Sequence, residues 1–565
     1  MIVGIDLGTT NSLIGIYEDH GVRLIPNVLG AFLTPSVVSL SGEGMLLVGQ
    51  AAKDRLVSHP HESVASFKRW MGTKREIRLG KRVFLPEELS ALVIRALLDD
   101  AEAALGGRPN EAVISVPAYF SDAQRRATKR AGELAGLRVE RLINEPTAAA
   151  LAYGLTERLD DAQVMVLDLG GGTFDVSILE LFSGVVKVHA SAGDNYLGGD
   201  DFTIALEEYW IRANTINREA LKPEEVGQLR RRAEAAKREL ASGRGANLIA
   251  SIGQTEYVAH IDQDEFEALS DHLIQRMRRP IEQALRDARL RGSELSEVVL
   301  VGGGSRLPQV AKLAARVLGR LPLRHMAPDE AVAQGACVAA GLKARHVSLQ
   351  EVVLADVCPH SMGVEVSMGI GGGERSSGHF DPIIERNSTV PVSRMREYFP
   401  VHERQTFMEL QIFQGESPFT RNNILLGSLK FPILSGNKRD PGVEVRFTYD
   451  INGVLQVEAK GLASGLRQEL IFIQEGSDIS EAEARRRMIE LANLKTHPRD
   501  DQQSIAAIAR AERLYSEALA EDRQILQQML IKFQSVLSTQ DRDLVAAHLE
   551  AFSKALDEFE EVRFR

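Results

Sequence analysis

A chain of 565 residues is too long for one hydrophobic core and predicts about two to four domains, while 44% apolar and 26% charged residues exclude a largely disordered chain. A formal net charge of -11 without a long Lys/Arg stripe argues against nucleic acid as a partner. The only cysteines, Cys337 and Cys358, lie in unrelated contexts without C-x-x-C spacing, which excludes a disulfide framework or a structural zinc site and predicts two small buried residues.

Met1 leads directly into Ile2-Val3-Gly4-Ile5 with no basic leader, and no apolar stretch approaches the roughly 20 residues that span a bilayer, so a cytoplasmic protein with no membrane partner is expected. Up to about residue 345, short β-branched runs alternate with helical patterns, as in an α/β domain. Ala112-Val113-Ile114-Ser115-Val116 reads as a strand, followed by Pro117 and a helix opening at Ser121-Asp122. The segment Asp6-Leu7-Gly8-Thr9-Thr10-Asn11 is echoed by Asp168-Leu169-Gly170-Gly171-Gly172-Thr173, each following one strand and leading into another. That internal repeat predicts two similar lobes facing a shared cleft. A third glycine segment, Gly302-Gly303-Gly304-Ser305-Arg306, again ends an apolar strand and precedes a helix.

Glycine turns between strands offer closely spaced backbone N–H groups that phosphate oxygens can approach, and threonine hydroxyls add donors. An aspartate beside such a loop would repel a triphosphate, so Asp6 and Asp168 imply an intervening cation, magnesium held largely through water. Arg306 is placed to stack on a nucleobase.

Texture changes at the apolar segment between Gln350 and Asp356, which reads as a linker. Beyond it, strand-like runs near Gln405 to Phe413, Val443 to Tyr449, Val454 to Lys460 and Gln468 to Ile473, with the turn Asp450-Ile451-Asn452-Gly453, predict a β-sandwich. Gly369 to Gly373 reads as a loop, because no helix follows to aim amides at a phosphate. From Asp478 the pattern is helical, with a capping box at Ser480 and Glu483, a break at Pro498 and a further helix start at Ser538 to Asp541. Leu514, Leu526, Met529, Leu530 and Phe533 form a stripe read as helix packing.

The three loops resemble the actin-like ATPase superfamily, within which a small-molecule kinase or a filament-forming ATPase would also fit. Val116-Pro117-Ala118-Tyr119-Phe120-Ser121-Asp122, Ile143-Asn144-Glu145-Pro146-Thr147 and Leu197-Gly198-Gly199-Asp200-Asp201-Phe202 narrow the resemblance to the seventy-kilodalton heat-shock chaperones, of the DnaK kind. The resemblance runs to about Ile473. It implies a two-lobed actin-like ATPase domain over 1–347, a linker over 348–357, a β-sandwich substrate-binding domain over 358–476 and a short helical lid over 477–565. The implied activity is a chaperone that hydrolyses ATP to ADP with Mg2+ and so binds and releases unfolded client polypeptides.

Carried over by position, Lys68 would orient the attacking water, with Glu145, Asp168, Thr173 and Asp175 completing the catalytic set and Asp6, Glu145 and Asp168 serving the metal. Gly8, Thr9, Thr10, Asn11, Gly170, Gly171 and Gly172 would hold phosphates, with Gly198 and Gly199 adjoining. Glu234, Lys237, Arg238, Gly302, Gly303, Gly304, Ser305, Arg306 and Asp329 would hold the nucleoside, where Ala241 stands in place of the family's usual serine. Pro117 and Arg125 would report nucleotide state to the linker Val352, Val353, Leu354 and Asp356, in which Ala355 replaces a usual leucine. Val364, Met408, Leu410 and Val443 would form the peptide pocket. Arg141 and Asp356 would engage a J-domain co-chaperone. Shortened segments between Gly49 and Ala112 and between Leu206 and Leu248, with a short lid, resemble the compact HscC-type bacterial members and leave a nucleotide-exchange factor optional.

Overall fold

The computed structural model describes residues 1–157, 162–182, 185–323, 327–346, 349, 353–371, 374–401, 405–433, 442–450, 453–472, 502–518 and 520–563. Two α/β halves are built from the described residues up to Lys343. In the first half, β1 (Ile2–Leu7), β2 (Asn11–Glu18) and β3 (Gly21–Leu24) form a meander. They continue through β4 (Glu111–Val116) and β5 (Arg138–Asn144), in the order β5-β4-β1-β2-β3, with Thr34–Pro35 also paired to β2. Between β4 and β5 runs α1 (Asp122–Leu134), whose Ser121 and Gln124 make the reciprocal cap expected of its first turn.

The second half repeats this plan. Its strands β6 (Ala162–Leu169), β7 (Phe174–Phe182) and β8 (Val185–Asp194) form a second meander, joined in parallel by β9 (Glu297–Val301). Helices α3 (Gly199–Ala213), α4 (Pro223–Ala241), α5 (Gln263–Ala288) and α6 (Pro308–Leu318) complete it, while α2 (Glu145–Glu157) lies on β6 and β7 and α7 (Ala331–Lys343) lies on β1 and β2 of the first half. The seam between the halves is α2 against α7, and both are rich in alanine. At Gly335 an added Cβ would fall 1.7 Å from the Ala148 carbonyl oxygen, so only glycine permits this crossing.

The short strand β10 (Val353–Ala355) pairs in parallel with β8, Val353 opposite Val185 and Leu354 opposite Val186, giving the order β9-β6-β7-β8-β10. The segment read as a linker is therefore an edge strand of the second sheet; Val352 lies outside the described residues.

Next come two four-stranded antiparallel sheets. One has the order β12-β11-β14-β15, from β11 (Met362–Gly371), β12 (Glu374–Ile384), β14 (Phe407–Gln414) and β15 (Ile424–Pro432). The other has the order β13-β16-β17-β18, from β13 (Val392–Tyr398), β16 (Val443–Tyr449), β17 (Leu455–Gly461) and β18 (Arg467–Phe472). Phe431, Val445, Phe447 and Val457 share one buried core between them. Four strands were foreseen, and β11, β12, β13 and β15 were not. Gly369 and Gly371 pair with Arg375 and Glu374, so this stretch ends a strand instead of forming a free loop; Gly372 and Gly373 are outside the described residues.

Helices α8 (Gln502–Glu517), α9 (Ala520–Thr539) and α10 (Arg542–Arg563) close the chain. Leu514, Leu526 and Phe533 are buried among them, with Met529 and Leu530 packed alongside, which is the packing stripe expected. The capping box at Ser480 and Glu483 and the break at Pro498 lie outside the described residues. Cys337 and Cys358 are both buried, and among the described residues no helix is long and apolar enough to cross a membrane.

Candidate functional site: a cleft between two glycine loops

The turns between β1 and β2 and between β6 and β7 face each other. A Cβ added at Gly171 would fall 1.9 Å from Thr10 Oγ1, so the loops of the two halves nearly touch. Ser36 fixes the first loop by donating its hydroxyl to Gly8 O at 2.8 Å and its N–H to Thr10 O at 2.8 Å. The second is held from behind, Gly199 N donating to Gly170 O and Asp200 N to Gly171 O, each at 2.9 Å.

Between them opens a cleft of about 490 Å3, within the size of small-molecule sites. Asp6, Gly8, Thr9, Thr10 and Asn11 line it from the first half. Asp168, Gly170, Gly171, Thr173 and Gly199 line it from the second, with Lys68 and Glu145 between. Glu234, Lys237, Arg238, Ala241, Gly302, Gly303, Gly304, Arg306 and Asp329 form the remaining wall. Four expected residues stand beside the lining. Gly172 packs on Arg69 and Thr9, Gly198 on the Gly171 backbone, Ser305 donates to Gly302 O at 2.7 Å, and Asp175 accepts from Tyr119 N at 3.0 Å.

The floor of the cleft is charged and buried. Lys68 is 4% exposed and donates to Glu145 Oε1 at 2.7 Å. Asp6 accepts from Ser115 Oγ at 2.7 Å, yet burial and then the Glu145 charge push its carboxyl up to about 7. Burial, with Glu145 second, likewise pushes Asp175 up to about 7, although the Tyr119 N–H, Lys68 and Arg125 oppose it. Asp168 is raised well above the ordinary range by burial, then by Glu145, Asp175 and Asp6. Four carboxylates thus crowd around one ammonium, and Asp175 Oδ2 is buried without a hydrogen-bond partner among the described residues. Such a set fits an added hard cation.

On the far wall, burial alone would raise Glu234, but Lys237, Thr203 and Arg238 hold its carboxyl below the usual range. Lys237 donates to Glu234 at 2.6 Å and to Gly199 O at 2.9 Å, and Arg306 pairs with Asp329 at 2.6 Å.

Sequence reasoning missed the ties across the mouth. Arg69 donates to Asp201 Oδ2 at 2.7 Å and Gly171 O at 3.2 Å, and Ser66 donates to Asp200 Oδ2 at 2.7 Å. Their signal was adjacency, because Arg69 follows Lys68 and the two aspartates follow Gly198-Gly199.

A second network leaves the floor. Arg125 donates to Asn144 Oδ1 at 2.6 Å and to Ala118 O at 3.0 Å, one residue beyond Pro117. Asn144 Nδ2 in turn donates to both carboxylate oxygens of Asp356 at 2.8 Å. Asn144 was not foreseen, and it immediately precedes Glu145. Arg141 is pulled below its usual range by burial, opposed by Asp356. Further contacts bind the sandwich to the α/β halves: Arg386 forks onto Asp287 at 2.8 and 3.0 Å, and the His360 ring meets Tyr119 edge-on at 4.6 Å.

Comparison with known proteins decides what this cleft belongs to. A family model described as Hsp70 protein matches residues 2–78 and 73–563. The chain belongs to the Hsp70 family. It is 42% identical over 504 residues to "Chaperone protein DnaK" of Thermotoga petrophila, covering 86% of this chain and 83% of that one. It is 38% identical over 528 residues to the protein of that name from Mycoplasmopsis pulmonis, covering 92% and 86%. As an Hsp70 it is an ATP-dependent chaperone with ATPase activity.

Within the Hsp70 sandwich, Val364 and Val443 are 0% exposed, Leu410 3% and Met408 7%, all in the shared core. The half-exposed apolar side chains of this module are others, among them Met368, Phe399, Phe407 and Leu425.

Proposed function

We propose that the cleft binds ATP or ADP with Mg2+, and that its occupancy is transmitted to a peptide-binding β-sandwich through the linker strand. The division follows as an ATPase domain over 1–347, a linker over 348–357, a sandwich over 358–476 and a helical lid over 477–565. The observation that carries this reading is a single peptide step: Glu145 holds Lys68 on the cleft floor, and Asn144 holds Asp356 at the end of the linker. A shift of β5 by one ångström must be felt at both ends, because the two residues share a backbone.

The nucleotide cleft divides its labour by chemistry. Thr9, Thr10, Thr173 and the glycine amides supply phosphate donors, and Glu234, Lys237, Arg238 and Arg306 supply a polar frame for the nucleoside. Mg2+, when bound through Asp6, Glu145 and Asp168, offsets the negative charge that these carboxylates and the phosphates share. Lys68 orients the attacking water and neutralises charge on the terminal phosphate, with Asp175 holding the water network. Phosphoryl transfer depends chiefly on such positioning and electrostatic support.

Val364, Met408, Leu410 and Val443 form the base of the apolar peptide pocket. Pro117 and Arg125 relay the nucleotide state, with Val352, Val353 and Leu354 as the linker. Arg141 and Asp356 are the contact for a J-domain co-chaperone, the clients are unfolded polypeptides in the cytoplasm, and the compact HscC-type character makes an exchange factor optional. Peptide and nucleotide influence each other only through conformations they favour differently, so the coupling is reciprocal. Unfolded apolar peptide is expected to raise ATP turnover, and ATP to speed peptide release. Turnover indifferent to every such peptide, together with no peptide binding, would overturn this reading.

A further inference from the structure

In the order β13-β16-β17-β18, β13 is an end strand, so every second residue turns its N–H and C=O away from β16. Met395 is such a residue. Its N–H donates to Gln540 Oε1 at 2.9 Å, and its C=O accepts from Gln540 Nε2 at 2.8 Å. Gln540 sits in the turn between α9 and α10 with a left-handed φ of 55°, and the Arg394 guanidinium donates to its main-chain carbonyl. One side-chain amide therefore reproduces both hydrogen bonds that a residue of an added strand would make, the pattern by which extended peptides join a sheet edge. By the alternation of the strand, Ser393 and Glu397 turn the same main-chain groups outward on either side of Met395.

We propose that the outer edge of β13, centred on Met395, is a second binding site for an extended, proline-free polypeptide segment, and that the Gln540 turn is its built-in occupant. Peptide and helical unit then compete for the same main-chain groups. The ligand class rests on the peptide-binding reading above, but the site is a sheet edge, separate from the interior formed by Val364, Met408 and Leu410.

Hydrogen exchange on the full chain with ADP tests this, using an unstructured apolar peptide that the wild type binds. Gln540→Ala is expected to speed exchange at the Met395 amide at least tenfold while the Phe447 amide on β16 stays protected. Saturating peptide should then restore protection at Met395 and extend it to Glu397. Gln540→Met keeps nearly the size and loses both the acceptor and the donor, so it reads the same way if the alanine variant loosens the helices. A Met395 amide still protected in these variants without peptide overturns the proposal, as does bound peptide that leaves Met395 exchanging freely. If the wild type binds no peptide, the peptide reading itself falls and this site with it; if it binds and the edge stays unprotected, this site alone falls.

Discussion

The cleft floor and the sandwich interior are both buried, yet one is short of compensation and the other is not. Asp6, Glu145, Asp168 and Asp175 converge on Lys68 with two carboxyls pushed up to about 7, whereas Val364, Leu410, Phe431 and Phe447 are apolar and pack on one another. A region that keeps buried like charges is incomplete without a ligand. A region whose buried surface is apolar is satisfied by its own packing, so its residues serve stability whether or not a peptide lies above them. The two are joined by Asn144 and Asp356.

That contrast predicts opposite consequences for mutation. Leu410→Ala, at a side chain 3% exposed, should cost about 2–5 kcal/mol of stability, seen as an earlier thermal unfolding of the sandwich. A loss well under 1 kcal/mol would mean that Leu410 adds little to the packing beneath the pocket. Lys68→Ala should leave the sandwich intact and slow ATP hydrolysis more than tenfold, at least about 1.4 kcal/mol of barrier, in single-turnover assays with nucleotide still bound. Unchanged turnover would remove Lys68 from the chemistry.

Acid sharpens the comparison at the contact between the regions. Burial, then Arg125 and Arg386, push His360 down to about 4 from its ordinary 6.5. The docked form therefore favours the neutral ring, so docking is full above the undocked value and weakens as pH falls through this window. At about pH 5.5 the loss should be on the order of 1 kcal/mol, measurable as separation of fluorophores on the two regions, and His360→Gln should flatten it. The smallest effect concerns the floor. Because Asp6 and Asp175 sit near 7, binding Mg2+ with nucleotide at neutral pH should release a fraction of a proton, read by titration calorimetry in buffers of different ionisation enthalpy.

Both glycine loops and their flanking strands were legible in the sequence, because a turn between strands is a local pattern repeated once. Lys68 and Glu145 were reached only through resemblance, and Asn144, Arg69 and the Arg386–Asp287 fork were missed. These partners lie many residues apart in the chain and leave no spacing to read: Arg386 and Asp287 are 99 positions apart, and Asn144 and Asp356 are 212. The texture of the linker reads only as a connector because three residues are too few for a strand pattern; docking on the ATPase half was implied by the resemblance alone, and β8 supplies the partner strand. Alternating apolar residues could not separate pocket from core at Val364, Met408, Leu410 and Val443, since both face inward along a strand.

The most direct test of the account is the rate at which bound peptide leaves the full chain after Mg2+ and ATP are added, compared between the wild type and Asn144→Ala. The account predicts release at least tenfold faster with ATP in the wild type and a much smaller acceleration in the variant. Equal acceleration in both would contradict the claim that the Glu145–Asn144 step carries the signal from cleft to linker.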